Sequence, residues 1–88
     1  MRLSKEILFN KQKENIIIDK KGDTFLLNDP VSIYIFELLL KEQEITKSEI
    51  LINVQKNFDT TQIDSDKVKQ YIYDFLYDLE NLGILIKW

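Results

Sequence analysis

Apolar positions along the chain fall into two regimes. In the N-terminal part they come in short runs rich in Ile, Phe and Leu: "EILFN" over 6–10, "NIIID" over 15–19 and "TFLLN" over 24–28. Polar "KQKE" separates the first two, and "KKGD" over 20–23 separates the last two. In that second link Gly22 supplies a positive φ and Asp23 tolerates turn geometry. Three strand-like runs joined by short polar turns predict an antiparallel meander.

After residue 28 the spacing turns helical. Pro30 suits the first helical position with Asp29 as its N-cap, which opens a helix through "PVSIYIFELLLK". The polar tract "KEQE" ends it. "TKSE" over 46–49 is a capping box, and Ile50, Leu51, Val54 and Phe58 follow at helical spacing. After the polar "DTTQID", Ser65 or Asp64 caps a third helix, and Asp66 suits its positive end. Val68, Ile72, Phe75, Leu79 and Leu82 step by four and three and form one stripe. Gly83 stands just past the end, and "ILIKW" follows as a short extended tail.

The predicted fold is α+β: a three-stranded antiparallel sheet followed by three helices, resembling a winged helix with its sheet moved to the front. At 88 residues the chain, 1–88, is expected to form one domain. The expected core rests on Phe25 or Leu26, whichever faces the helices, with Ile35, Leu39, Phe58, Ile72, Phe75 and Leu79.

Composition narrows the chemistry. There is no histidine and no cysteine. That removes disulfides, thiol nucleophiles, iron–sulfur ligation and nearly all zinc chemistry, together with the commonest general base at neutral pH. No enzyme activity, no cofactor and no metal are expected. Asp74 and Asp78 form an i,i+4 carboxylate pair, but with no third ligand nearby they read as a solvated face. No apolar run approaches a membrane span, and "MRLSKEILFNKQ" lacks a signal-peptide core. The chain is therefore expected in the cytoplasm, off the membrane.

Charge is unevenly spread. Residues 1–22 carry six basic side chains (Arg2, Lys5, Lys11, Lys13, Lys20, Lys21) against three acids, and the remainder six lysines against twelve acids. The lysines near the hairpin serve solubility and could steer an acidic ligand. A winged-helix DNA binder is the competing reading, but it needs a basic recognition helix. The third helix sets Lys67 and Lys69 against Asp66, Asp74, Asp78 and Glu80. A net acidic body disfavours a phosphate backbone, so no nucleic-acid partner is expected.

The third strand carries the functional signal. In a three-strand meander the first and last strands are edges, which natural proteins blunt with Lys, Pro or Gly. "TFLLN" has none of these. Its side chains are apolar on both faces, so one face packs on the helices and apolar surface is left over. A peptide could add beside it as a further strand. The second wall of such a groove would come from the third helix. Lys69, Tyr73, Leu76 and Tyr77 make a partly aromatic arc beside the stripe and are the expected wall. The opposite flank, Lys67, Tyr71, Asp74 and Asp78, competes with it.

Three stretches together resemble one family. "FLLN" followed by "IFELL", then "ITKSEILINVQKNFD", then "VKQYIYDFLYDLENLGIL" are similar, in order and spacing, to the PqqD-like family, the RiPP recognition elements. Phe75, Leu76, Leu79 and Gly83 sit in register with its closing helix. The resemblance spans about residues 6–86. It departs in one extra residue between Leu27 and Ile35, in Phe36 where a Trp is common, and in Tyr71 where an acid is usual.

The resemblance implies a stand-alone binder of the leader segment of a ribosomally made precursor peptide. It implies that the leader adds by β-augmentation to the third strand. The partners implied are the precursor and a maturation enzyme such as a radical-SAM protein, a leader peptidase or a cyclase. The residues expected to bind peptide are Thr24, Phe25, Leu26 and Leu27 on the strand, with Lys69, Tyr73, Leu76 and Tyr77 on the helix.

Overall fold

A computed structural model of the chain describes residues 1–86. Lys87 and Trp88, the end of the expected extended tail, lie outside the described residues. The elements run β1 (Arg2–Leu3), β2 (Leu8–Lys11), β3 (Ile16–Lys20), β4 (Asp23–Leu27), α1 (Pro30–Lys41), α2 (Lys47–Asn57), α3 (Ser65–Asn81) and β5 (Leu85–Ile86). β2, β3 and β4 form an antiparallel meander with β3 in the middle, ahead of three helices. The fold is thus the expected α+β arrangement.

Two short segments add to it. β1 pairs antiparallel with β5, so the two ends of the described chain meet in a second, two-stranded ladder. Such short pairings have too little periodicity to be read from sequence. The meander strands lie one or two residues from the expected ranges at most ends, the usual behaviour of element boundaries.

Local chemistry sets the joints. Lys21 and Gly22 both take positive φ, 49° and 90°, between the paired residues Lys20 and Asp23. That is a two-residue type I′ hairpin, whose twist matches the strands it joins. Asp29 caps α1 by accepting from the Ser32 N–H at 3.1 Å, with Pro30 at the first position. The Thr46–Glu49 capping box opens α2 with both reciprocal bonds formed. Asp64, rather than Ser65, caps α3. At its far end Ile84 N–H donates to Leu79 C=O at 2.9 Å and Gly83 N–H to Glu80 C=O at 3.0 Å, with Gly83 at φ 74°. These two bonds make a Schellman stop.

The core lies between the inner sheet face and the helices. Ile16, Ile18, Ile35, Phe36, Ile50, Val54, Ile72, Leu76 and Ile84 are almost wholly buried. Phe36 is the largest of them, and Phe9 stacks edge-on against it at 5.4 Å. Two expectations about the core are corrected, and one open choice is decided. The buried strip of α3 is Val68, Ile72, Leu76 and Leu79, while Phe75 is half-buried and Leu82 is 43% exposed. The apolar arc of α3 is wider than the strip that α1 and α2 cover, so the partners' packing, not the spacing alone, sets the rotation. Phe58 caps α2 and is half-buried, stacked on Tyr34 at 5.4 Å. Between Phe25 and Leu26, Phe25 packs on the core and Leu26 is 56% exposed.

Candidate peptide-binding edge

β4 is an outer strand of the meander. The hairpin fixes which of its backbone groups are free. In a two-residue hairpin the flanking pair, here Lys20 and Asp23, exchanges hydrogen bonds. Bonded and non-bonded pairs then alternate, so Phe25 and Leu27 also direct their N–H and C=O toward β3. Thr24 and Leu26 direct theirs outward, away from the sheet. Side chains alternate in the same rhythm: Leu27 is buried and Phe25 half-buried toward the helices, while Thr24 and Leu26 sit on the outer face.

α3 lies alongside. Tyr71 Oη donates to Asp29 Oδ2 at 3.0 Å, just beyond the end of β4. At the other end the Lys20 ammonium occupies the place a Cβ on Gly83 would take. These two contacts set the direction of α3 opposite to that of β4. The ridge of α3 on this side contains Tyr71, Phe75, Asp78 and Leu82, successive at helical spacing.

This geometry corrects the expected second wall. Tyr73 lies on the opposite flank, between the ammonium groups of Lys47 and Lys69 at 5.7 and 5.5 Å from its ring centre. Lys47 opens α2, so this flank looks toward α2 and not toward β4. Tyr77 is further round and 55% exposed. Leu76 is at 0% exposure in the core. The structure thus brings together Thr24, Phe25, Leu26 and Leu27, and places Lys69, Tyr73, Leu76 and Tyr77 elsewhere. The competing flank supplies the neighbours of β4. A type I′ turn read from "KKGD" carries the pairing phase of β4. The rotation of α3 has no comparable signal in the sequence.

Asp29 ties the corner. Burial works to raise its carboxyl, but hydrogen bonds from the Ser32 side chain and backbone, from Tyr71 and from the Val31 N–H hold it below the usual value. Ser32 Oγ also bonds Asp29 Oδ1. Burial and the adjacent Asp29 carboxylate raise the Tyr71 hydroxyl above its ordinary range. Beside this corner an apolar cavity of about 290 Å³ opens between Val31, Val54, Ile63, Val68, Tyr71 and Ile72. Two of the hairpin-side lysines are paired: Lys11 with Glu37 at 3.4 Å and Lys21 with Glu6 at 3.2 Å. Among the described residues no helix is long and apolar enough to cross a membrane, and no acidic group is clustered for a metal.

Among the described residues β4 leaves one sheet edge unpaired, with its outward N–H and C=O groups on the side of the half-apolar ridge of α3, and an edge of this kind can take an extended peptide as a further strand. No family model and no curated protein sequence matches the chain. Among solved structures, TbiB1 in complex with the TbiA(beta) leader peptide has the same fold, with a TM-score of 0.82. The two are 22% identical, and the match covers 100% of this chain and 98% of that one.

Proposed function

We propose that the chain is a leader-peptide-binding protein, a RiPP recognition element. It holds the leader of a ribosomally made precursor as an additional strand on β4 and presents the precursor to a maturation enzyme. The observation that carries this reading is the unprotected β4 edge, with Thr24 and Leu26 facing outward beside the α3 ridge, in the fold of a protein solved with a leader peptide. The whole chain acts as a single recognition domain and does no chemistry of its own. Its partners are the precursor and one of the maturation enzyme types, a radical-SAM protein, a leader peptidase or a cyclase, working in the cytoplasm.

The test is titration of the labelled protein with a synthetic leader from a precursor encoded beside it. Amide shifts are expected on residues 24–27 and on the Tyr71–Leu82 ridge. Shifts confined to α1 and α2 would reject augmentation. Turnover of the precursor by the purified chain alone would reject the non-catalytic role.

A further inference from the structure

We propose that Asp78 selects a peptide carrying a lysine or arginine at the position that lies opposite Phe25. This rests on the peptide-binding reading above and adds the chemical class of the peptide.

Two contacts set the alignment of helix and strand: Tyr71 with Asp29, and Lys20 with Gly83. Asp78 stands about 10 Å along α3 from Tyr71. The same length of extended chain, about 10 Å measured back from Asp29, reaches Leu26 or Phe25. Of these, Phe25 turns its side chain to the helices. A peptide residue directly opposite Phe25 shares that face, and so points at the ridge at the level of Asp78.

The ridge around Asp78 is apolar, with Phe75 before it and Leu82 after it. Among the described residues the exposed Asp78 carboxylate enters no ion pair and no side-chain hydrogen bond. Asp23 adds a second exposed carboxylate at this end of the groove. Two lysines share the sheet face of Phe25: Lys11 is paired with Glu37, and Lys20 stands against Gly83, at the carbonyl end of α3. Lys67 is about 16 Å away along the helix. A Lys or Arg stem would lie on Phe25 and Phe75 with its charged head at Asp78. A peptide antiparallel to β4 runs from the Asp29 end toward Asp23. It therefore places an apolar residue against Tyr71 and Phe75 two positions before the basic one.

Random peptides displayed on phage, selected on the full chain and on Asp78→Asn and Asp78→Lys variants, test this. The parent should enrich Lys or Arg two positions after an apolar residue, and Asp78→Lys should enrich Asp or Glu there. A basic peptide from the parent selection should bind Asp78→Lys about tenfold more weakly. Asp78 is exposed and near the helix C-terminus, where a lysine suits the dipole, so the variants keep the fold. Peptides that shift the amides of residues 24–27 but bind all three proteins equally overturn the charge selection and leave the peptide-binding reading standing. Selected peptides that leave those amides unmoved overturn both.

Discussion

The Tyr71 hydroxyl donates to the Asp29 carboxylate at 3.0 Å, and this bond joins α3 to the chain just where β4 passes into α1. One carboxylate thus serves as the cap of α1 and as a clamp that holds α3 to the end of β4. The contact spans forty-two residues of sequence.

Tyr71→Phe removes the clamp and leaves the cap. Because Tyr71 is half exposed, solvent screening should bring the loss in stability down to about 0.5 kcal/mol, below the roughly 1.5–3 kcal/mol of a buried hydrogen bond to a charged group. Asp29→Ala removes both and should cost about 1–2 kcal/mol. The sign of the pH effect follows from the two shifts. Asp29 is held below its usual 3.8, so its contribution is present above that pH and is lost as pH falls through the folded value. Tyr71 is raised above 10.0, so its contribution is present below that pH and is lost as pH rises through the folded value. Thermal melts of parent and Tyr71→Phe should differ most between about pH 5 and 9 and converge at both extremes.

Leu76 and Tyr73 separate core from groove. Leu76→Ala should cost about 2–5 kcal/mol by opening a cavity in the centre of the fold. Denaturant melts read this directly. Tyr73→Ala loses its contacts with Lys47 and Lys69, on the flank of α3 that looks toward α2, so leader affinity should stay within about twofold. A larger loss of affinity with an unchanged melt would restore the Tyr73 flank as the groove wall.

The fold was legible because its signals are local. "KKGD" gives a turn, Asp29-Pro30 and Thr46–Glu49 give caps, and Gly83 gives a stop; each is decided by neighbours a few residues away. The edge was legible too, since the order of elements alone leaves the third meander strand outside. The rotation of α3 was not. Phe75 and Leu76 are adjacent apolar residues on either side of the strip's midline, and both satisfy the helical period. The choice falls to α1 and α2, whose side chains Phe36 and Ile50 fill the centre. Helical spacing selects Ile35 for the core and is satisfied without the adjacent Phe36, yet α1 buries both at 0% exposure.

Phe36 and Phe75 make that difference measurable. Phe36→Ala removes the largest buried side chain and the partner of Phe9, and should cost about 3–5 kcal/mol, close to the whole stability of a domain this small. Phe75→Ala, at a half-buried position, should cost about 1–2 kcal/mol. Paired denaturant melts check the order. Equal losses would mean that α3 sits rotated toward Phe75.

The edge itself is tested by removing single N–H groups. Thr24 and Leu26 direct theirs outward, whereas Phe25 and Leu27 use theirs in the ladder with β3. Proline is tolerated on an edge strand where the missing N–H faces solvent, and is disruptive where it breaks a ladder bond. Thr24→Pro and Leu26→Pro should therefore stay folded and lose leader binding by at least about tenfold, since each deletes a main-chain bond that a side chain cannot replace. Phe25→Pro and Leu27→Pro should melt well below the parent before binding can be asked. Leu26→Ala is the control, because it keeps the N–H and changes an exposed side chain on the outer face. It should bind within a few-fold of the parent. If Leu26→Pro folds and binds as tightly as Leu26→Ala, the leader does not pair with β4, and the exposed strand is only the rim of the core.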